Sequence, residues 1–251
     1  MHGFIIALQF LTRLTINPNI EVTEKGLGKS VIFFPVIGCI LGCILIIASL
    51  FFSKILCLSP LTANLLTVTI LIWLTCGLHL DGLADTIDGL SGAREKEKIL
   101  FIMRDSCVGV MGVLSLICIL SMKVCFLGEI QPEFKNQALL LMPLMGRWGI
   151  VIACCLGTYA RENGKARAFI AQTGIKELVL STIFTIGVTF ALIGWKGMLL
   201  TFIIPLFILI WIRYLIIKIG GVTGDTLGAC CECSEVLVLI GMLALSRIVG
   251  F

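Results

Sequence analysis

An all-α bundle of about seven membrane-crossing helices is the fold this sequence predicts, and three observations carry that expectation. Hydrophobic residues make up 59% of the 251 positions and charged residues only 14%, too little charge to cover a soluble surface. Apolar runs of about 20 residues, the length that crosses a hydrocarbon core, recur along the chain, and the mean hydropathy is +1.11. Lys and Arg cluster in alternate connections between those runs, as the positive-inside rule requires. A single integral membrane domain is therefore expected to cover residues 1–251, in contact with the lipid bilayer.

The first expected element is short. Phe4, Ile5, Leu8 and Leu11 recur at helical spacing, which predicts a helix lying flat in the membrane interface. No basic region or cleavage site precedes it, so it does not read as a signal peptide. Spans are then expected at Val31 to Leu50, Leu61 to Leu80, Val108 to Leu127, Ala138 to Leu156, Leu178 to Trp195, Met198 to Ile217 and Val236 to Phe251. The seventh carries Arg247 and is expected to be short or interfacial. Gly38-x-x-x-Gly42 in the first span predicts close packing against another helix.

Charge orients these spans. Arg13, Lys25 and Lys29 precede the first; Arg94, Lys96, Lys98 and Arg104 follow the second; Arg161, Lys165, Arg167 and Lys176 follow the fourth. The opposite connections hold only Lys54, Lys135 and Lys196. The amino terminus and the segments 78–106 and 218–235 are thus expected on the cytoplasmic face. A net charge of +4, dispersed in this way, gives no reason to expect a nucleic-acid partner. Most of the twelve cysteines fall in or beside apolar runs, where a thiol packs as a small hydrophobe. Cys230, Cys231 and Cys233 form the one cluster, without the paired spacing of a zinc site.

Candidate chemistry concentrates in Leu78-His79-Leu80-Asp81-Gly82-Leu83-Ala84-Asp85-Thr86-Ile87-Asp88-Gly89-Leu90. On a helix, Asp81, Asp85 and Asp88 are at i, i+4 and i+7, within roughly 60° of one another on one face. At ~6 Å and an effective dielectric near 20, each close pair repels by about 2 to 3 kcal/mol, which a divalent cation would relieve. Gly89 and Gly92 remove bulk near that face and would let a phosphate approach. His79 is a candidate base and equally a candidate core histidine. Arg147 lies inside the fourth span, where an arginine normally faces a partner or a polar cavity. Gly220-Gly221-Val222-Thr223-Gly224-Asp225 is a Gly-rich turn whose N–H groups can converge on an anion; Glu232 and Glu235 lie beyond it, and Arg104-Asp105-Ser106 adds a further acid and cation. Carboxylates to hold metal, guanidinium groups for phosphate charge and a Gly-rich turn together suit phosphoryl transfer.

Several of these segments carry a family resemblance. Phe10-Leu11-Thr12-Arg13-Leu14, Phe33-Phe34-Pro35-Val36-Ile37-Gly38, Gly77 to Asp85 with Gly89-Leu90, Arg104-Asp105-Ser106, Arg147, Tyr159-Ala160-Arg161 and Gly221 to Ala229 occur in an order that resembles the cobalamin synthases, also called adenosylcobinamide-GDP ribazoletransferases. The resemblance implies that a hydroxyl of α-ribazole, or of its 5′-phosphate, attacks the cobinamide-linked phosphate of adenosylcobinamide-GDP and releases GMP, the nucleotide-loop step of vitamin B12 biosynthesis. It implies magnesium (Mg2+) as cofactor and a prokaryotic cytoplasmic membrane as the location. Asp81, Asp85 and Asp88 are then the expected metal ligands, with Asp225 at a second metal position. One of Asp88, Asp105 or His79 is the expected base. Arg13, Arg104, Arg147 and Arg161 are expected phosphate contacts, with Gly221, Thr223 and Gly224 in the turn. Whether copies form a homo-oligomer is left open.

The chain departs from the family pattern at Thr15-Ile16, Cys107, Val110-Met111 and Cys230 to Cys233, none of which touches the aspartates. Three other readings compete. Asp85-Thr86-Ile87-Asp88-Gly89 before Ala93-Arg94 resembles part of the CDP-alcohol phosphotransferase motif, but with one residue too many and no downstream aspartate pair. A transporter would show polar groups in matched halves, and no internal repeat is visible. Asp81-x-x-x-Asp85 also resembles a membrane prenyltransferase motif, whose second aspartate-rich copy is missing.

Overall fold

The computed structural model describes residues 2–162, 164 and 166–249, so Lys165 and the end of the chain at Phe251 lie outside the described residues. The elements are α1 (His2–Leu11), α2 (Glu24–Ser30), α3 (Phe34–Leu50), α4 (Pro60–Thr75), α5 (Leu78–Gly92), α6 (Lys96–Ile102), α7 (Val110–Glu129), α8 (Pro132–Leu156), α9 (Arg167–Gln172), α10 (Ile175–Ile193), α11 (Met198–Ile219) and α12 (Gly224–Val249). The fold is an integral membrane helix bundle, with exposed Ile47, Leu61, Val110, Ile183, Phe202 and Ile217 left facing outward for lipid.

Five helical stretches are long and apolar enough to cross a membrane, and a sixth arises if α4 and α5 count together. One of the five, Ile175–Ile219, is 45 residues long, about 67 Å at 1.5 Å per residue, twice what a bilayer core needs. It breaks at Gly194, whose φ is 61°. The chain enters the first half of the stretch, α10, just after Gln172, which packs against Gly28 near the turn Val31–Phe33 that opens α3. Its second half, α11, ends at Gly220 beside Lys96 of α6. Both outer ends therefore lie at the same end of the bundle, and the stretch doubles back as two passes.

The same end gathers the other connections. Arg13 N–H bonds Leu74 O at the close of α4, Gly109 at the start of α7 bonds Asp88 of α5, and Val222 before α12 pairs with Thr158 after α8. At the opposite end Arg247 of α12 pairs with Glu129 of α7 at 2.6 Å. α3, α4, α7, α8, α10, α11 and α12 thus run alternately between the two ends, the seven passes the sequence predicts.

α8 is the central pillar, packed by α3, α10, α11 and α12 and buried along most of its length. Gly38 and Gly42 of α3 sit against the backbone of Pro143, Leu144 and Leu140, where any Cβ would collide. That is the close packing expected of the Gly-x-x-x-Gly pair.

Two boundaries differ from the sequence reading. The second span ends at Thr75 rather than continuing to Leu80, because Cys76 and Gly77 adopt φ of 52° and 65°. The chain turns there by 90°, so α5 does not prolong α4 but lies across the end of the bundle. The last span is not a short Val236 to Phe251 segment; α12 starts at Gly224. Thr223 and Thr226 cap it reciprocally, Thr226 N donating to Thr223 Oγ1 and Thr223 N to Thr226 Oγ1. Glu232 and Glu235 lower the hydropathy of those first turns but are neutralised by partners inside the protein.

Candidate active site

The site is built where α5 crosses α12. A Cβ on Gly82 would lie 2.8 Å from Asp225 O, and one on Gly228 would lie 3.0 Å from His79 O. Only hydrogen at both positions lets the backbones approach this closely, and the approach sets Asp225 beside the acidic face of α5. Asp81 is exposed, and Asp85 and Asp88 are partly buried.

Each carboxylate has a different environment. Asp88 accepts from Gly109 N–H at 2.6 Å and Gly112 N–H at 2.8 Å, so it caps the start of α7 and ties the acidic helix to that span. Asp225 accepts from Arg161 at 2.7 Å. Asp85 has neither partner. Its pKa is pushed up to about 6, first by burial and then by the charges of Asp81, Asp225 and Asp88, with Arg161 opposing. Negative charge therefore exceeds the cation available at this face. Among the described residues no three His, Cys, Asp or Glu side chains already stand together closely enough to hold a metal ion. The donor set is still the one that suits magnesium, all carboxylate oxygen, and an excess of mutually repelling carboxylates is what a bound cation relieves.

The other expected residues divide between this face and elsewhere. Gly224 and Asp225 share a cavity with His79 and Asp81. Arg161 joins the face through Asp225. Arg13 instead lies over the Trp73 ring at 5.1 Å. Arg104 and Asp105 are exposed in the connection after α6, where Asp105 accepts from Cys107 N–H at 3.0 Å. The Gly-rich turn is not an open cradle: Val222 N–H bonds Thr158 O, and Thr223 N–H bonds Thr226 Oγ1. Gly221, at φ 156°, is required because a Cβ would strike Thr158 O.

Arg147 is not at a phosphate position. It is sealed in the bundle, ion-paired with Glu235, which also accepts from Lys123. Lys123 further bonds Glu232 at 2.6 Å. The four residues are 0 to 5% exposed, two cations matched by two carboxylates in the low-dielectric interior. Arg147 Nη2 also reaches His79 Nδ1 at 3.3 Å. A guanidinium has only donors, so Nδ1 accepts and the ring proton sits on Nε2. This casts His79 as a hydrogen-bond donor rather than the expected base.

Lys123 escaped the sequence reading although its position in an apolar run carries the same signal as Arg147. So did the i, i+3 spacing of Glu232 and Glu235, which on a helix puts both on one face.

Two cavities meet at Asp81. A narrow one of about 200 Å3 has Phe10, Phe34 and Phe169 in its walls. A wider one of about 630 Å3 is lined by Gln9, Thr12 and Thr75 among others. Phe10, Leu78 and Asp81 border both.

A membrane helix bundle with a carboxylate-rich, cation-poor face between two cavities defines a class, the membrane-embedded enzymes that act at one end of their bundle. Residues 3–243 match the family model described as cobalamin-5-phosphate synthase, and the chain belongs to that family. It is 37% identical over 246 residues to the adenosylcobinamide-GDP ribazoletransferase of Alkaliphilus metalliredigens, covering 98% of this chain and 96% of the relative. The protein of that name from Clostridium acetobutylicum is 37% identical over 247 residues, covering 96% and 95%. That from Acetivibrio thermocellus is 38% identical over 237 residues, covering 94% and 95%. No solved structure matches the chain.

Proposed function

We propose that this protein is an adenosylcobinamide-GDP ribazoletransferase acting in the last steps of cobalamin synthesis. It transfers the adenosylcobinamide phosphate group to α-ribazole or its 5′-phosphate. The observation that carries the reading is the gathering of Asp81, Asp85 and Asp225 at one end of the bundle, in a chain similar over nearly its whole length to proteins of that name. A ribose hydroxyl oxygen of the acceptor forms the new bond to the phosphorus that carries cobinamide. The bond from that phosphorus to the bridging oxygen breaks, and GMP leaves with the electron pair. The hydroxyl proton passes to a carboxylate. Both Asp88 oxygens already hold amides and His79 carries its proton on Nε2, so Asp105 or an α5 carboxylate suits that task better.

Magnesium is the proposed cofactor, with Asp81 and Asp85 as principal ligands and Asp88 and Asp225 beside them. When bound it neutralises phosphate charge and orients the diphosphate. Arg161, paired with Asp225, is within reach of the same charge. Because Asp85 holds a proton below about pH 6, proton and magnesium compete there. The raised pKa means the carboxylate is ionised and ready for metal above pH 6, and loses that capacity as pH falls through it. The magnesium needed for half-maximal turnover is expected to rise by up to about tenfold per pH unit below 6, as titrations at pH 5.5 and 7.5 would show. A requirement flat over that range would remove Asp85 from the ligand set.

The site end carries most of the basic connections, which supports a cytoplasmic orientation in a prokaryotic inner membrane. With native cysteines replaced, Glu95→Cys is expected to be labelled only from the cytoplasm and Glu133→Cys only from outside. Labelling of both from one side would overturn the orientation.

Transport is separated from catalysis by compartments. Detergent-solubilised protein is expected to form cobalamin and release GMP without a membrane barrier. Accumulation of corrinoid in sealed vesicles with no GMP released in detergent would replace the transferase reading with a transporter.

A further inference from the structure

The narrow cavity beside the acidic face has a composition that selects among the parts of the two substrates. Phe10, Phe34 and Phe169 form an aromatic wall, with ring centroids 4.6 to 6.2 Å apart. Ile150, Cys154 and Leu227 complete the apolar lining, and polar groups enter only where His79, Asp81 and Asp225 border it. Drug-sized ligands occupy pockets of about 300–1,000 Å3, so about 200 Å3 admits a fused two-ring group and excludes a corrin macrocycle.

Guanine is also a two-ring group, but its carbonyl, amide N–H, amine and ring nitrogen would face phenylalanine and aliphatic side chains. Each polar group buried without a partner costs about 1–3 kcal/mol. A methylated benzimidazole has no exocyclic polar group and presents an apolar edge and two π faces to the aromatic wall. The wider cavity across Asp81, with Gln9, Thr12 and Thr75 in its lining, is the larger and more polar of the two and is the side from which the donor's diphosphate would approach.

We propose that the narrow cavity between α1, α3, α5, α8, α9 and α12 is the subsite for the planar, apolar base of the acceptor nucleoside. A base seated there places its ribose toward Asp81 and Asp225, where the cavity borders the acidic face, and so brings a ribose hydroxyl to the phosphate held between the two cavities. Phe169 and Ala166 thereby become specificity-determining positions. The inference rests on the ribazoletransferase reading, since it takes α-ribazole as the acceptor.

Steady-state kinetics with each substrate varied in turn test it. Ala166→Leu fills the cavity from the residue that precedes α9, and Phe169→Ala removes part of the aromatic wall. Each is expected to raise KM for α-ribazole by at least about tenfold while KM for adenosylcobinamide-GDP stays within about twofold. The Ala166→Leu penalty is expected to shrink with the riboside of unmethylated benzimidazole, a rescue that general damage to the fold would not give. Calorimetric binding of α-ribazole to the detergent-solubilised protein alone gives a readout independent of turnover, expected to be saturable in the parent and weakened by Ala166→Leu. A rise in KM for the donor instead, unchanged constants in both variants, or no α-ribazole binding would overturn the subsite. Wild-type formation of cobalamin and GMP alongside any of those results would leave the transferase reading standing while this one fell.

Discussion

Asp81→Asn and Asp85→Asn are each expected to lower turnover by about 100- to 1,000-fold, the loss typical when a preorganised electrostatic group is removed from a phosphoryl-transfer site. Neither carboxylate makes a hydrogen bond or ion pair within the described residues, so the isosteric amide orphans no partner and the fold should survive. The thermal transition of the solubilised protein is therefore expected to stay at its parent value or rise, because mutual repulsion on α5 falls. Asp88→Asn should differ in kind. It disturbs the carboxylate that receives Gly109 and Gly112 N–H, and so should lower stability by about 1 kcal/mol as well as activity. Near-parent turnover of both Asp81→Asn and Asp85→Asn at limiting magnesium would place the chemistry elsewhere.

Glu235→Gln carries the largest expected effect on stability. Glu235 receives both Lys123 and Arg147, and its loss leaves two buried cations facing Glu232 alone. Breaking a buried pair by removing one partner costs about 3–5 kcal/mol. The variant should melt well below the parent in detergent or fail to accumulate in the membrane. Arg147→Met combined with Glu235→Gln leaves Lys123 paired with Glu232 at 2.6 Å, one cation matched to one carboxylate, and the pair is expected to be less damaging than Glu235→Gln alone. A Glu235→Gln protein with the parent's melting temperature would show that the quartet is not a structural element. Because Arg147 also fixes the His79 tautomer, the double variant is expected to recover stability more fully than activity.

The passes were legible because lipid imposes a length and a composition on each one. The acidic face was legible because three carboxylates at helical spacing beside a membrane are costly without a role. What stayed hidden depends on contacts between segments distant in sequence. The 90° turn at Cys76 and Gly77 interrupts a run that hydropathy alone reads as continuous. The true start of α12 was obscured because Glu232 and Glu235 look like solvent-facing residues until Lys123 and Arg147 are brought against them from α7 and α8. Arg147 reads from the sequence as an intramembrane charge, yet nothing local distinguishes a guanidinium that meets a phosphate from one that meets a glutamate. The narrow cavity draws its phenylalanines from α1, α3 and α9, each unremarkable in its own segment.

The carboxylate face of α5 and Asp225 is proposed to perform magnesium-dependent transfer with loss of GMP. Chelator-treated protein in detergent, supplied with adenosylcobinamide-GDP and α-ribazole, tests it when cobalamin and GMP are both quantified across a magnesium titration. No product is expected without the metal, equal amounts of cobalamin and GMP are expected as it is restored, and both should be lost in Asp85→Asn. Undiminished turnover in excess chelator, or cobalamin formed without an equal release of GMP, would contradict it.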